Sequence, residues 1–427
     1  MNLTRSVAAA FTLLISSSVY AGIGPWRTMT PEQVLDTGDA HQEAALRIAF
    51  IDEARETIDV AAYHYQIDEA FGWPFASALK RAVERGVRVR SLCNKMVNWL
   101  EDPSSRMPRY IAASGRGELL RWAEFGWDSP FFAAAPWLAT DFLHEKLVIV
   151  DGRKAIVSGR GIGARYVPWV DRAYIVTGDL VQDIVSSYDQ LFALVEDEFG
   201  VRRFDADPDN REFQRVYAQA PLPASKARAV QSILDCTRGG PCPTLPGGGT
   251  RNWGRVIHHD LLSQLRRLGN PTNPAERLRR VHDPIQEAWL ESLNQTRAGD
   301  RVGMTSLALI MNPRLRDAMI AAARRGVRLD VITNSQAATY NQAPMGLPFA
   351  MAIRDIRELV RGGVNVYMVD PGRDRDQSYN WMHEKLAFVS GKTAIFGSYN
   401  WNLGSSIFND EIAVEIRHPG FVEQFEQ

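Results

Sequence analysis

The sequence is poor in cysteine, in excess charge of either sign and in long apolar runs. Three cysteines in 427 residues are too few for a disulfide framework. Lys and Arg number 49 against 50 Asp and Glu, a net charge of −1. The bulk basicity of a nucleic-acid binder is missing, so no stable nucleic-acid partner is expected. Beyond the N-terminus no apolar stretch reaches the ~20 residues needed to cross a bilayer. No Cys, His or acidic set has metal-ligand spacing, so neither a metal nor another cofactor is expected. His258 and His259 lack such partners and read as surface; His41, His282 and His418 carry no motif. Hydrophobic residues make up 45% and charged residues 23%, which leaves an ordinary globular protein of roughly two to three domains.

Residues 1–21 read MNLTRSVAAAFTLLISSSVYA. One Arg, a short apolar stretch and small residues at Val19 and Ala21 match a signal peptide. The expected location is therefore periplasmic or secreted. Export makes a local disulfide reasonable between Cys236 and Cys242, which flank a Gly-Pro turn. Cys93 ends an apolar run and reads as a buried free thiol.

The chain repeats itself. Residues 78–92, ALKRAVERGVRVRSL, have a counterpart in residues 318–333, AMIAAARRGVRLDVIT, and each strand-like run leads into an Asn, Asn94 or Asn334. Gly86 and Gly326 stand 240 residues apart, each where a helix end favours a left-handed residue. Leu143-His-Glu-Lys-Leu-Val-Ile-Val-Asp-Gly152 pairs with Met382-His-Glu-Lys-Leu-Ala-Phe-Val-Ser-Gly391 at an offset of 239. Strands alternate with helices in both halves, which predicts an α/β fold. The expectation is two duplicated lobes, each a mixed β-sheet flanked by helices. The first covers residues 22–204 and the second 281–427, joined by a Pro- and Gly-rich linker at 205–280.

The repeated His-x-Lys carries the chemistry. His144 and Lys146 are two apart on an expected strand, so both side chains share a face; His383 and Lys385 do the same. If the lobes pack about a pseudo-two-fold axis, two imidazoles and two ammonium groups meet at the interface. The lysines can neutralise phosphate oxygens, one imidazole can attack phosphorus, and the other can protonate the leaving alkoxide.

These elements resemble the phospholipase D superfamily, whose motif is His-x-Lys-x4-Asp followed by a Gly-Ser/Gly-x-Asn turn. The first copy supplies His144, Lys146 and Asp151, with Gly161 where the turn has Asn. The second supplies His383, Lys385 and Asn400, with Ser390 in place of Asp. Asp151 enters the candidate site with its motif, although a Val-Asp-Gly turn also suits an ordinary hairpin residue. The resemblance implies a carboxylate hydrogen-bonded to each imidazole, at the start of a later strand. Asp171 and Glu411 match, with Asp410 competing for the second role. It also implies a phosphohistidine intermediate, with His144 as nucleophile, His383 as acid, and water or an alcohol as acceptor.

The expected activity is an exported phospholipase D-like enzyme acting on glycerophospholipids. A cardiolipin synthase-type phosphatidyltransferase is the alternative within that class, and residues 156–163, IVSGRGIG, resemble the first-motif turn of such synthases. An exported nuclease and a non-enzymatic lipid- or phosphate-binding relic are the rivals outside it. Aromatic residues crowd residues 122–142 (Trp122, Phe125, Trp127, Phe131, Phe132, Trp137, Phe142). They suit either an acyl pocket with peripheral membrane contact or a loop folded over the core; residues 344–351 form a second apolar loop. His64, between two tyrosines, reads as structural or as part of the cleft wall.

Overall fold

The computed structural model describes residues 22–126, 142–205, 210–243, 252–271, 273–335, 346–369 and 381–426. The signal-peptide segment, Trp127, Phe131, Phe132, Trp137 and residues 344–345 lie outside the described residues, and from residue 346 the expected apolar loop is instead the start of helix Gly346–Arg361.

Two sheets carry the chain. The first runs in the order Val201–Arg202, Leu120–Phe125, Arg88–Asn94, Thr57–Ala62, Leu147–Val150, Lys154–Ser158, Ala173–Thr177, Val34–Thr37. The second runs Asn365–Val369, Arg328–Asn334, Arg301–Thr305, Leu386–Val389, Thr393–Gly397, Asn409–Arg417, Asn252–His259, Arg27–Met29. The last seven strands of the first sheet match, in order, the first seven of the second. In each, three parallel strands adjoin an antiparallel meander.

Local chemistry explains the repeat. Helix Ala40–Glu53 starts at Asp39, whose carboxylate accepts from the His41 and Gln42 amides. Helices Gly72–Glu84 and Pro313–Arg324 end at Gly86 and Gly326, with φ of +95° and +90°. Those left-handed residues turn the chain into the next parallel strand.

The strand Leu147–Val150 is apolar throughout because both its faces are buried. Val148 and Val150 pack under the helices of the first lobe with Leu46, Phe50 and Leu79. Leu147 and Ile149 join a core shared by the two lobes, with Tyr174, Phe388, Phe396 and Val414. There the Tyr174 and Phe396 rings stack at 3.7 Å.

The segment expected to be a linker is largely structured. Helix Ala224–Thr237 packs on the first lobe, and the Cys236–Cys242 disulfide closes its end. Strand Asn252–His259 is the counterpart of Val34–Thr37, so the second lobe begins well before residue 281. Its partner Arg27–Met29 comes from the chain's start and ties the first lobe to the second sheet. Cys93 is a buried free thiol. Among the described residues no helix is long and apolar enough to cross a membrane.

Candidate active site

Each His-x-Lys lies where the chain changes sheets. Phe142–Leu143 pairs in parallel with Asn409–Asp410 of the second lobe, whereas Leu147–Val150 pairs with strands of the first. Likewise Trp381–Met382 pairs with Trp169–Val170 before Leu386–Val389 joins its own lobe. The residues 144–146 and 383–385 are therefore breaks between strands, not the strand interiors expected from sequence. The His144 amide donates to the Asp410 carbonyl at 3.0 Å, and that of His383 to Val170 at 2.8 Å.

Two buried asparagines hold these crossings. The Asn94 side chain donates to the Tyr63 and Leu143 carbonyls at 2.7 and 2.8 Å and accepts from the Leu143 amide at 2.8 Å. Asn334 does the same with Leu307 at 2.9 Å and both polar groups of Met382 at 2.7 Å. These are the asparagines that end the repeated strands. Their recurrence is visible in the sequence; what they bind is not.

The lobes exchange carboxylates. His144 Nδ1 lies 3.0 Å from Glu411 Oε2, and His383 Nδ1 lies 2.6 Å from Asp171 Oδ2. Glu411 also accepts from Ser398 Oγ, Ser405 Oγ and Asn409 Nδ2 at 2.5, 2.6 and 3.1 Å. With Nδ1 committed in each ring, Nε2 is the atom left for chemistry. Asn400 Nδ2 stands 3.5 Å from His144 Nε2. Asp410, the competing carboxylate, bonds His258 at 2.9 Å and the Leu261 amide at 3.1 Å instead.

Lys146 donates to the His144 carbonyl at 2.5 Å, and Lys385 to that of His383. Both are buried. Burial pushes Lys146 down to about 7 and Lys385 to about 8, against the pull of Glu411 and Asp171. Burial lowers both imidazoles too, His383 well below its usual value, and the charges of both lysines act on both rings. The four groups thus share one site at the junction of the lobes.

Asp151 is outside it. At φ +51° its carboxylate accepts from the Arg55, Glu56 and Thr57 amides at 2.8–3.2 Å. It fastens the start of strand Thr57–Ala62, at the end of Leu147–Val150 remote from Lys146. In the second copy Ser390 Oγ and the Gly391 amide donate to Glu426 at 2.7 and 3.1 Å, so another carboxylate serves the matching turn.

Other expectations change as well. Trp122 and Phe125 are core residues, not lipid contacts. His258 and His259 are buried rather than on the surface. His64 is buried, with Nδ1 3.1 Å from Tyr166 Oη. Sequence reading overlooked the aromatic wall around His383: Trp169 at 4.7 Å, Trp381 at 6.0 Å and Tyr166 at 6.3 Å between ring centroids.

Residues 48–193 and 290–427 match the family described as "Cardiolipin synthase, PLD-like domain". The chain belongs to this phospholipase D-like family. It is similar to cardiolipin synthase C of Escherichia coli K12, 24% identical over 416 residues that span 87% of this chain and 78% of that one. It is also similar to an uncharacterized protein of Helicobacter pylori strain 26695, 22% identical over 410 residues, 88% of this chain and 74% of that one. The crystal structure of phosphatidylserine synthase from Haemophilus influenzae Rd KW20 has the same fold, with a TM-score of 0.62 at 14% identity, covering 97% of this chain and 89% of that one. The protein is accordingly a phosphodiesterase or phosphatidyltransferase of the phospholipase D type. Its first phospholipase D-like turn has Gly161 in place of Asn, and Tyr166 takes the space. A Cβ on Gly161 would lie 2.5 Å from the Tyr166 ring.

Proposed function

We propose that this protein is a phosphatidyltransferase of the cardiolipin synthase type, acting on a glycerophospholipid in an exported compartment. The carrying observation is the pair of crossed His–carboxylate contacts, with both imidazoles and both lysines buried where the lobes meet. Glu411 holds the His144 proton on Nδ1, leaving the Nε2 lone pair to attack phosphorus. As the P–Nε2 bond forms, the bond to the leaving oxygen breaks, and His383, whose proton on Nε2 the negative charge of the bound phosphate stabilises against the burial that lowers its pKa in the empty site, gives that alkoxide its proton. Lys146 and Lys385 stabilise the charge on the non-bridging oxygens. In the second half His383 takes the proton of an incoming alcohol, whose oxygen displaces His144.

On this reading the acceptor is an alcohol rather than water. The family description and the E. coli relative support the same choice over the hydrolase reading. The near-zero net charge speaks against a nuclease. Export rests on the sequence of residues 1–21 and agrees with the Cys236–Cys242 disulfide.

The test is product analysis by mass spectrometry on phosphatidylglycerol vesicles, with plasmid DNA in parallel. Cardiolipin and free glycerol are expected. Phosphatidic acid alone would make the enzyme a hydrolase, and nicked plasmid without lipid turnover would make it a nuclease.

A further inference from the structure

Directly behind His144 lies a second group of buried ionisable side chains that the transfer chemistry does not use. Glu145, His258 and Asp410 are 1%, 4% and 0% exposed. His258 Nε2 is 2.9 Å from Asp410 Oδ1 and 3.2 Å from Glu145 Oε1. Neither Glu145 oxygen has a hydrogen bond that would satisfy it among the described residues, nor has His258 Nδ1, so both carboxylates meet the ring at Nε2. Two carboxylates this deep need a cation between them or a proton on one of them; burial, with Glu145 close by, pushes the Asp410 carboxyl up to about 7, so above that pH the cation is what remains.

The other lobe supplies the comparison. Glu384 holds the same place in the second His-x-Lys as Glu145 in the first. Its Oε1 lies 2.7 Å from Arg172 Nε, and the same guanidinium donates to Asp36 Oδ2 at 2.5 Å. There a permanent cation joins the two carboxylates. At the matching place in the first motif, the only base between Glu145 and Asp410 among the described residues is His258. It comes from strand Asn252–His259, which holds the sheet position of Val34–Thr37; His258 stands opposite Ile412, the counterpart of Arg172, so here the base comes from the neighbouring strand.

We propose that His258 is a positioning residue: held as an imidazolium between Glu145 and Asp410, it is the first motif's replacement for Arg172 and fixes His144 against Glu411. Glu145 is the neighbour of His144 and Asp410 the neighbour of Glu411. The staple therefore joins from behind the two segments whose side chains meet at 3.0 Å in front. The His144 amide bond to the Asp410 carbonyl lies between the same segments. Burial works against charge on His258, but Asp410 and Glu145 outweigh it and hold its pKa well above the usual imidazole value. The consequence for turnover rests on the transferase reading above; the charge state does not.

The experiment has an arm for each. In full-length wild-type protein labelled with ¹⁵N-histidine, His258, assigned by comparison with His258→Gln, is expected to give imidazolium shifts at pH 8. Neutral-ring shifts there would overturn the proposal. So would a stoichiometric divalent ion in the purified protein whose removal by EDTA abolishes turnover, since the three side chains would then be a metal site. On phosphatidylglycerol, His258→Gln is expected to lower kcat at least tenfold with KM within twofold. Adding Glu145→Gln is expected to bring kcat back to within about threefold of wild type, because one carboxylate is gone and an amide can donate to the other. If the single variant does not fold, the double variant carries the test, and failure of the double to fold or turn over would overturn the proposal. Wild-type kcat in His258→Gln would do the same. An inactive wild type with a charged His258 would remove the transferase reading and leave the staple standing.

Discussion

Asp171 and His383 are 2.6 Å apart but belong to different lobes, and Glu411 and His144 repeat the exchange in the other direction. Neither catalytic imidazole takes its carboxylate from its own lobe. Asp171→Asn is therefore expected to slow turnover by about a hundredfold or more, as when an amide replaces the carboxylate that orients a catalytic imidazole. It should do so without lowering the melting temperature as a core substitution would. In a double-mutant cycle with His383→Ala the losses should not add. Additive losses in steady-state kinetics would show that Asp171 acts apart from His383.

The four central groups give the plainest test. His144→Ala and His383→Ala should each abolish turnover in a folded protein, read by circular dichroism beside the lipid assay. Lys146→Ala or Lys385→Ala should cost about 3 kcal/mol of transition-state stabilisation, roughly a hundredfold in rate, by analogy with a lost oxyanion donor. Near-normal turnover in either histidine variant would refute the two-histidine mechanism.

Burial of the lysines sets a pH limit. Each stabilises phosphate charge only while protonated, hence below its own pKa, which is about 7 for Lys146 and about 8 for Lys385. Raising the pH through that range removes the positive charge. The profile of kcat/KM, which reports the free enzyme, is expected to fall on its alkaline side with an apparent midpoint between these values. A profile flat to pH 10 would mean that the lysines stay charged in the free site.

Much of this is legible in one sequence. The two His-x-Lys segments, the paired glycines and the strand-ending asparagines repeat at offsets of 239 and 240, because each lobe must rebuild the same sheet order. The carboxylates can be found at the starts of later strands, but not their crossing, which depends on how the lobes dock. Strand Asn252–His259 reads as linker for a physical reason. Arg255, His258 and His259 break any apolar alternation, yet all are buried; Arg255 pairs with Glu415 at 2.6 Å and His258 with Asp410. Buried ion pairs look like surface in a hydropathy pattern. Asp151 misleads in the opposite sense. Its place in the motif suggests chemistry, and its carboxylate serves three backbone amides.

Asp151→Ser is accordingly expected to leave turnover per folded molecule unchanged. It should lower stability by about 1–3 kcal/mol, the usual range for lost hydrogen bonds to a charged acceptor. Asp151→Asn, which tolerates the left-handed backbone and keeps one acceptor oxygen, should lose less. Thermal melts with turnover normalised to folded protein decide it. A normal melt with a hundredfold slower rate would return Asp151 to the catalytic machinery.

The remaining departure from the family motif has a steric cause. Gly161 stands where the second copy has Asn400, and the Tyr166 ring fills the space a side chain would need, 2.5 Å from where its Cβ would lie. That ring is fixed from two sides: Trp169 lies against it at 4.6 Å, and His64 is within hydrogen-bond reach of its hydroxyl. It cannot give way without disturbing the wall beside His383. Gly161→Asn is expected to destabilise the protein by about 1–3 kcal/mol or more, the usual penalty of overpacking, and to reduce turnover through the displaced wall. Combining it with Tyr166→Ala removes the overlap, so the double variant should melt above the Gly161→Asn single. Differential scanning calorimetry of the two single variants and the double checks this. A Gly161→Asn protein as stable as wild type would mean that Tyr166 is free to move and that the glycine has another cause.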